Sequence, residues 1–79
     1  MSEDRDWMTP AEVEALFDVK WTRPRRSRIL ARLEAEGVRM QRPGPALTLI
    51  NRTDLLRYLD DVRTGARARP TWMPEHFAP

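Results

Sequence analysis

Apolar residues recur at the spacing of an amphipathic helix in three stretches of this 79-residue chain. The first stretch opens with Thr9 and Pro10, which suit an N-cap and a first helical position, and Glu12 completes a capping box. The apolar residues that follow are Val13, Leu16 and Phe17. These features predict a short helix over residues 10–17, with Trp7 in the core beside it.

The second and third stretches carry start and stop signals of their own. A proline at the start and Gly37 after the end predict a helix over residues 24–36. Its apolar stripe is Ile29, Leu30 and Leu33. The third helix begins near Asn51, with Thr53 as the alternative N-cap, and Gly65 lies just past its expected end. Its apolar residues are Leu55, Leu56, Leu59 and Val62.

The segment between the second and third helices is rich in strand-forming residues. Residues 38–41 and 46–50 predict two strands of a hairpin, with Pro43-Gly44 as the turn between them. Pro45 belongs at the tip or outside the ladder because it has no N–H to donate. Helix, turn, helix, hairpin and helix is the element order of a winged helix-turn-helix, a mainly α fold with a small β-hairpin whose second helix enters the DNA major groove.

The charge of the chain is unevenly distributed, although the formal net charge is only +2. Residues 20–42 contain eight of the fourteen basic residues and only two acids, whereas residues 1–19 contain one arginine and six acids. A basic block of this kind favours a polyanionic partner, of which nucleic acid is the commonest. The alternative is a solvated basic face with no ligand, since thirteen of the fourteen basic residues are arginine and codon bias can enrich arginine.

The predicted second helix carries arginines at i, i+3 and i+7, on the side away from its apolar stripe. Guanidinium groups suit bidentate contacts with guanine or with phosphate, so these side chains are candidates for DNA binding. The alternative is a solvated surface in which Arg32 pairs with Glu36 at i+4. The full candidate set is Thr22, Arg23, Arg25, Arg26, Ser27, Arg28 and Arg32 around this helix, and Arg39, Gln41 and Arg42 on the hairpin, or wing.

The chain divides into three parts by composition. Residues 1–6 predict an acidic flexible arm, residues 7–63 the DNA-binding domain, and residues 64–79 an extended or disordered tail. Trp21 is expected to pack under the turn between the first two helices. The tail is basic and then aromatic, which suggests that it orders on a partner protein. Its candidate partner-binding residues are Trp72 and Phe77.

Several other functions are excluded on composition and spacing. The chain has no cysteine and one histidine, too few ligands for the usual zinc site, so no metal or cofactor is expected. Its apolar runs fall far below the ~20 residues of a membrane span, and no signal peptide is evident. Neighbouring carboxylates at Glu12/Glu14 and Asp60/Asp61 do not face each other on a helix. We expect no catalytic residues, no enzyme activity, no small-molecule substrate, and a cytoplasmic, nucleoid-associated protein.

Two segments resemble the MerR-like winged-helix family, especially its phage excisionases. Residues 9–19, Thr-Pro-Ala-Glu-Val-Glu-Ala-Leu-Phe-Asp-Val, are similar to the family's Thr-x-x-Glu-Val start and Leu-Phe-Gly-Val turn, with Asp18 where glycine is usual. Residues 50–59, Ile-Asn-Arg-Thr-Asp-Leu-Leu-Arg-Tyr-Leu, are similar to the strand and helix that follow the family's wing. The usual Ser-x-x-Thr start of the recognition helix is missing.

The resemblance implies an architectural DNA binder that helps a recombinase choose excision, or a small transcriptional regulator. Its implied partners are double-stranded DNA and either a recombinase (integrase) or another copy of the chain on DNA. By position, Arg25, Arg28 and Arg32 would lie on the recognition helix, and Arg39 and Arg42 on the wing. Two alternatives remain: a protein-interaction module whose tail binds a partner, and the DNA-reading module of a phage packaging protein.

Overall fold

Three helices and a three-stranded antiparallel sheet make up the part of the chain that the computed structural model describes, residues 6–74. The sheet has the order β1-β3-β2, so the third strand lies in the middle and runs directly into the last helix. The elements in chain order are β1 (Trp7–Met8), α1 (Pro10–Phe17), α2 (Arg23–Ala35), β2 (Met40–Gly44), β3 (Leu47–Asn51) and α3 (Arg52–Thr64).

Helix α1 has the bounds that its sequence predicts. The Thr9 hydroxyl oxygen accepts a hydrogen bond from the Glu12 N–H at 3.2 Å, and the Glu12 carboxylate accepts one from the Thr9 N–H at 2.8 Å, so the capping box forms. Asp18 ends the helix in the left-handed conformation, with φ 57° and ψ 45°. Aspartate is among the few non-glycine residues that visit this region readily, which lets it stand at a position that favours glycine.

Helices α2 and α3 are also capped by side chains that accept from a backbone N–H three residues later. Thr22 caps α2, which begins one residue earlier than predicted, and its hydroxyl oxygen accepts from the Arg25 N–H at 3.4 Å. Asn51 rather than Thr53 caps α3, because its side-chain oxygen accepts from the Asp54 N–H at 2.9 Å. Gly65 ends α3 with φ 88°, a conformation that glycine adopts without a steric penalty.

The hairpin turn lies two residues later than the sequence predicts. Strand β2 continues to Gly44, and the turn is formed by Pro45 and Ala46, so Pro45 is at the tip as expected. The pairing of β2 with β3 shifts by one residue between Gln41 and Gly44. Pro43 fits in the strand because it lies in this irregular stretch, where a missing N–H costs little.

A short first strand was not expected from the sequence. Trp7 pairs with Asn51 and Met8 with Ile50 across the sheet, so residues that precede α1 close one edge of β3. The prediction that Trp7 is a core residue is wrong: it lies half-buried on this edge strand, whereas Met8 packs against the core. Of the predicted acidic arm only Asp6 belongs to the described residues.

The core lies where the three helices meet β3. Leu16 of α1 and Leu56 of α3 belong to the predicted apolar stripes, yet they are 36% and 40% exposed. Glu14 and Tyr58 are buried on those helices instead. The buried apolar residues contributed by helices, turns and strands before Gly65 are Val13, Phe17, Trp21, Ile29, Leu30, Leu33, Val38, Ile50, Leu55, Tyr58 and Val62.

Beyond α3 the chain folds back onto the domain; we call residues 66–74 the strap. The strap contains no helix or strand, but Met73 is only 2% exposed and belongs to the core. The Trp72 ring lies edge-on to Phe17 at 5.6 Å and to Trp21 at 6.1 Å between centroids. Edge-to-face aromatic pairs add stability beyond the area that they bury. The folded domain therefore extends past residue 63, to at least Pro74.

Arg67 anchors the other end of the strap. Its guanidinium forms ion pairs with Glu36 and, at 3.8 Å, with Asp61, and it lies 5.1 Å from the centre of the Tyr58 ring. Burial of the Tyr58 phenol and the nearby Glu36 charge raise its pKa, which the Arg67 cation partly offsets. The strap is therefore held at both ends, by charge at Arg67 and by apolar packing at Trp72 and Met73.

Candidate nucleic-acid interface

The three outward arginines of α2 are exposed, as the sequence predicts. Over residues 6–74, the side chains of Arg25, Arg28 and Arg32 form no ion pair and no hydrogen bond. At ~100° per residue they lie within about 60° of one another around the helix axis. Like charges at i, i+3 and i, i+4 destabilise a helix by a few tenths of a kcal/mol per pair. This face therefore carries concentrated positive charge without an internal counter-charge.

The strap adds a fourth arginine and turns this face into a groove. The groove has a volume of about 540 Å³ and runs between α2 and the strap. None of the described residues that line it is acidic. We call it the basic groove, and its lining residues are Arg25, Arg28, Ile29, Arg32, Arg69, Pro70, Thr71 and Trp72.

The two acids at the C-terminal end of α2 are paired with arginines from other elements. Glu34 binds Arg42 of β2 through two hydrogen bonds, at 3.0 and 3.3 Å. Glu36 binds Arg67 of the strap. The i, i+4 pair of Arg32 with Glu36, which the sequence offered as an alternative, does not form. Arg32 is therefore left facing solvent.

Both arginines of the wing are already engaged within the fold. Arg42 and Glu34 hydrogen bond, which lowers the pKa of the Glu34 carboxyl and raises the pKa of the Arg42 guanidinium. The Arg39 guanidinium donates two hydrogen bonds to the Asp54 carboxylate of α3, at 2.7 and 3.3 Å, and the Arg39 backbone N–H donates to the same carboxylate at 3.1 Å. These bonds lower the pKa of Asp54 and raise that of Arg39. Both wing arginines remain more than half exposed.

The Arg39–Asp54 pair predicts a pH dependence of stability. Because the folded protein lowers the pKa of Asp54, the pair stabilises the fold at pH values above the unfolded pKa, ~3.9, and the effect is lost as pH falls through the folded pKa. We expect Asp54→Asn to destabilise the protein at pH 7 and to differ less from wild type at about pH 3. Urea unfolding at both pH values measures this.

A matched control for that experiment is Asp60→Asn, which removes the carboxylate of an exposed i, i+3 pair with Arg63. Exposed pairs contribute little, so this variant should stay close to wild type at both pH values. Equal destabilisation by Asp54→Asn at pH 7 and at pH 3 would contradict the assigned role of the Arg39–Asp54 pair.

Arg26 does not belong to the candidate surface. Its Nε–H donates to the Glu14 carboxylate at 2.9 Å, and the Glu14 side chain is only 7% exposed. A buried carboxylate without its partner would strongly destabilise the fold. The Arg26 guanidinium therefore stays paired with Glu14 and links α2 to α1. Arg26 is among the DNA-binding candidates that the sequence predicts, but the acid that binds it lies on another helix, twelve residues away.

The other predicted site residues fall into two groups. Arg23, Ser27 and Gln41 are exposed, and the Thr22 hydroxyl oxygen accepts the capping bond from Arg25. In the second group, Trp72 packs against the protein's own aromatic rings, which corrects the expectation that it binds a partner. Phe77 lies outside the described residues.

Sequence reasoning missed Arg69 as a site residue. It is exposed, lines the basic groove, and its Nη1–H donates to the Met73 carbonyl at 2.7 Å. The available signal was the pair of arginines followed by aromatic residues after Gly65. That signal indicated that the tail binds a surface, but it did not indicate which one. The surface that the strap contacts exists only when α1 and α2 are packed together.

Other kinds of site find no support in the described part of the chain. Between residues 6 and 74 no group of three or more His, Cys, Asp or Glu side chains is placed to hold a metal ion. No helix in that range has the length and apolar character to cross a bilayer. Of the neighbouring carboxylates, Glu12 caps α1, Glu14 binds Arg26 and Asp60 binds Arg63 at 2.8 Å.

No protein-family model, no curated protein and no solved structure matches this chain. Its function is therefore inferred from the charges, exposure and geometry of its own residues.

Proposed function

We propose that this protein binds double-stranded DNA as a winged helix-turn-helix, with α2 in the major groove and the β2–β3 hairpin beside the sugar-phosphate backbone. The observation that carries the proposal is the outward face of α2, where Arg25, Arg28 and Arg32 are exposed and, across residues 6–74, have no acidic partner. Arginine is the side chain best suited to guanine O6/N7 and to phosphate oxygens.

The arrangement of the elements supports this proposal. A short connection joins α1 to α2, the hairpin follows α2, and α3 follows the hairpin, which is the order of a winged helix-turn-helix. An α-helix with its side chains is about 10–12 Å across, close to the ~12 Å width of the major groove. The side of α2 away from the core therefore has the dimensions and the charge that a recognition helix needs.

The start of α2 supports it as well. Arg23, Arg25 and Arg26 stand in the first turn with no acid among them, at the positive end of the helix dipole. Cations in this position cost about 0.3–1 kcal/mol each, less where they are solvated or paired. A phosphate group near this turn would be attracted by the dipole together with the exposed guanidinium groups of Arg23 and Arg25.

Within DNA binding, the resemblance to phage excisionases favours an accessory factor for site-specific recombination or a small transcriptional regulator. Both roles use the same surface, and the number and orientation of the binding sites separate them. Footprinting on DNA that flanks the gene distinguishes the two. Tandem direct repeats would indicate an architectural filament, and one palindrome a repressor dimer.

The first test is the salt dependence of binding to duplex DNA. With about five phosphate contacts, log K should fall against log salt with a slope near −4 to −5. Labelled random-sequence duplexes, titrated at several salt concentrations by fluorescence anisotropy, measure this slope. A flat response, or no retention on duplex DNA at low salt, would overturn the proposal and favour a protein-binding module.

A further inference from the structure

Two elements border α2 on opposite sides. The hairpin reaches α2 at Glu34, through Arg42. The strap borders the side that carries Arg25 and Arg32. At ~100° per residue Glu34 lies about 160–180° from these two arginines, so the two elements stand on opposite sides of the helix.

A helix that lies in the major groove has a sugar-phosphate backbone on each side. With the hairpin beside one backbone, the strap is the element that faces the other. At that position the strap presents Arg69. A second groove of about 550 Å³ adjoins the basic groove; Arg25 and Arg69 line both grooves, and Lys20 lines the second one only. The basic surface thus continues from α2 across the strap toward the turn that precedes α2.

The position of Arg69 is defined by the anchors of the strap. Arg67, two residues earlier, is bound to Glu36, the C-cap of α2, and to Asp61 of α3. Met73, four residues later, is buried in the core and accepts the Arg69 hydrogen bond on its carbonyl oxygen. An arginine has five N–H donors, so this bond orients the side chain and leaves the remaining donors for a second acceptor.

From this geometry we infer that the strap is a third DNA-contacting element, in which Arg69 binds a phosphate of the backbone that lies in the basic groove. The inference rests on the proposed duplex binding and extends it. Arg25 and Arg32 line the α2 wall of the groove and Arg69 the strap wall, so one strand lies between cations on both sides. The tail segment that its sequence assigned to a partner protein thereby becomes part of the DNA interface.

Arg69→Gln tests this assignment by removing one phosphate contact. The slope of log K against log salt should become less steep by about 0.9. The ratio of the wild-type binding constant to that of Arg69→Gln should therefore fall by about three- to fourfold when the salt concentration rises fourfold. Arg69→Lys keeps the charge and should keep the wild-type slope. Arg63→Gln, which removes an exposed arginine of α3 outside both grooves, is the matched control and should leave the slope unchanged.

Docking of the strap is measured separately, so that unfolding is not mistaken for a lost contact. The near-ultraviolet circular dichroism of the Trp21–Trp72 pair reports whether the strap is still in place. If Arg69→Gln loosens the strap, Thr71→Glu decides, because it adds a negative charge at an exposed position that lines the same groove. Duplex binding weakened more than in Arg63→Gln, which changes the net charge by the same amount, supports a strand in the groove, and an equal effect of the two variants overturns it.

The remaining outcomes separate this inference from the function on which it rests. Duplex binding by wild type with an unchanged slope in a well-folded Arg69→Gln overturns the role of the strap and leaves DNA binding standing. No salt-dependent duplex binding by wild type overturns the proposed function, and the strap contact with it. A single-stranded oligonucleotide bound as tightly as its duplex would overturn the placement of the groove beside a major-groove helix.

Discussion

Removing Arg28 and Arg32 together is expected to weaken duplex binding by at least about 30-fold without lowering the melting temperature. Each guanidinium that binds a base edge or phosphate contributes about 1–3 kcal/mol, so two contribute at least ~2 kcal/mol. If both side chains bind phosphate, the slope of log K against log salt should also become less steep by up to ~1.8. The measurement is anisotropy titration of Arg28→Ala/Arg32→Ala beside a thermal melt.

Stability is expected to hold in that variant for a physical reason. Both side chains are exposed and, within residues 6–74, form no ion pair or hydrogen bond, so no stabilising contact is removed. The substitution also removes a like-charge i, i+4 pair and introduces the best helix former. The melting temperature should therefore stay the same or rise.

The matched control removes two exposed arginines from α3, which also has thirteen residues. Arg57→Ala/Arg63→Ala changes the net charge by the same amount, but at two positions that line neither of the grooves beside α2. If the two double variants lose affinity equally, the binding is a general effect of net charge and not a property of the α2 face. If Arg28→Ala/Arg32→Ala binds as wild type does, α2 is not the recognition helix.

Truncation of the core has the second large expected effect. Leu33 of α2 is fully buried, and Leu33→Ala should destabilise the protein by about 2–5 kcal/mol through lost transfer energy and the cavity left behind. A domain of this length has a total stability of roughly 4–12 kcal/mol. Each kcal/mol corresponds to about 4–8 °C in a domain of this size, so the melting temperature should fall by about 8–40 °C.

The same truncation at an exposed site provides the control. Leu56 of α3 is 40% exposed, and Leu56→Ala should change the free energy of unfolding by only about 0.5 kcal/mol. Urea unfolding of both variants measures the difference. Equal effects at the two positions would contradict the core described here. Below its melting temperature, Leu33→Ala should bind duplex DNA with close to wild-type affinity because the arginine face is intact.

The helices and their caps were predictable because the interactions that define them are local. The Thr9–Glu12 capping box, the Asn51 cap and the glycine after each of the last two helices involve residues within about four positions of one another. The outward spacing of Arg25, Arg28 and Arg32 follows from the helical period alone. The hairpin was predicted, but its turn was misplaced because Pro43-Gly44 is a strong turn signal that the irregular β2 overrides.

The pairing of the charges was not predictable in the same way. Arg26 reaches Glu14 twelve residues away, Arg39 reaches Asp54 fifteen residues away, and Arg67 reaches Glu36 across thirty-one residues. Each of these arginines could pair with any of several acids in the sequence. Which acid is close enough depends on how α1, α2 and α3 cross, and local spacing carries no information about that.

The amino-acid sequence by itself determined the three helices, the hairpin and the three arginines on the outward side of α2, since periodicity and capping act over a single helical turn. The tertiary structure decided which cations remain without a partner among the described residues and where the strap lies. Trp72 and Met73 find their apolar surroundings only after Phe17 and Trp21 have been brought together, and that docking carries Arg69 to the edge of α2.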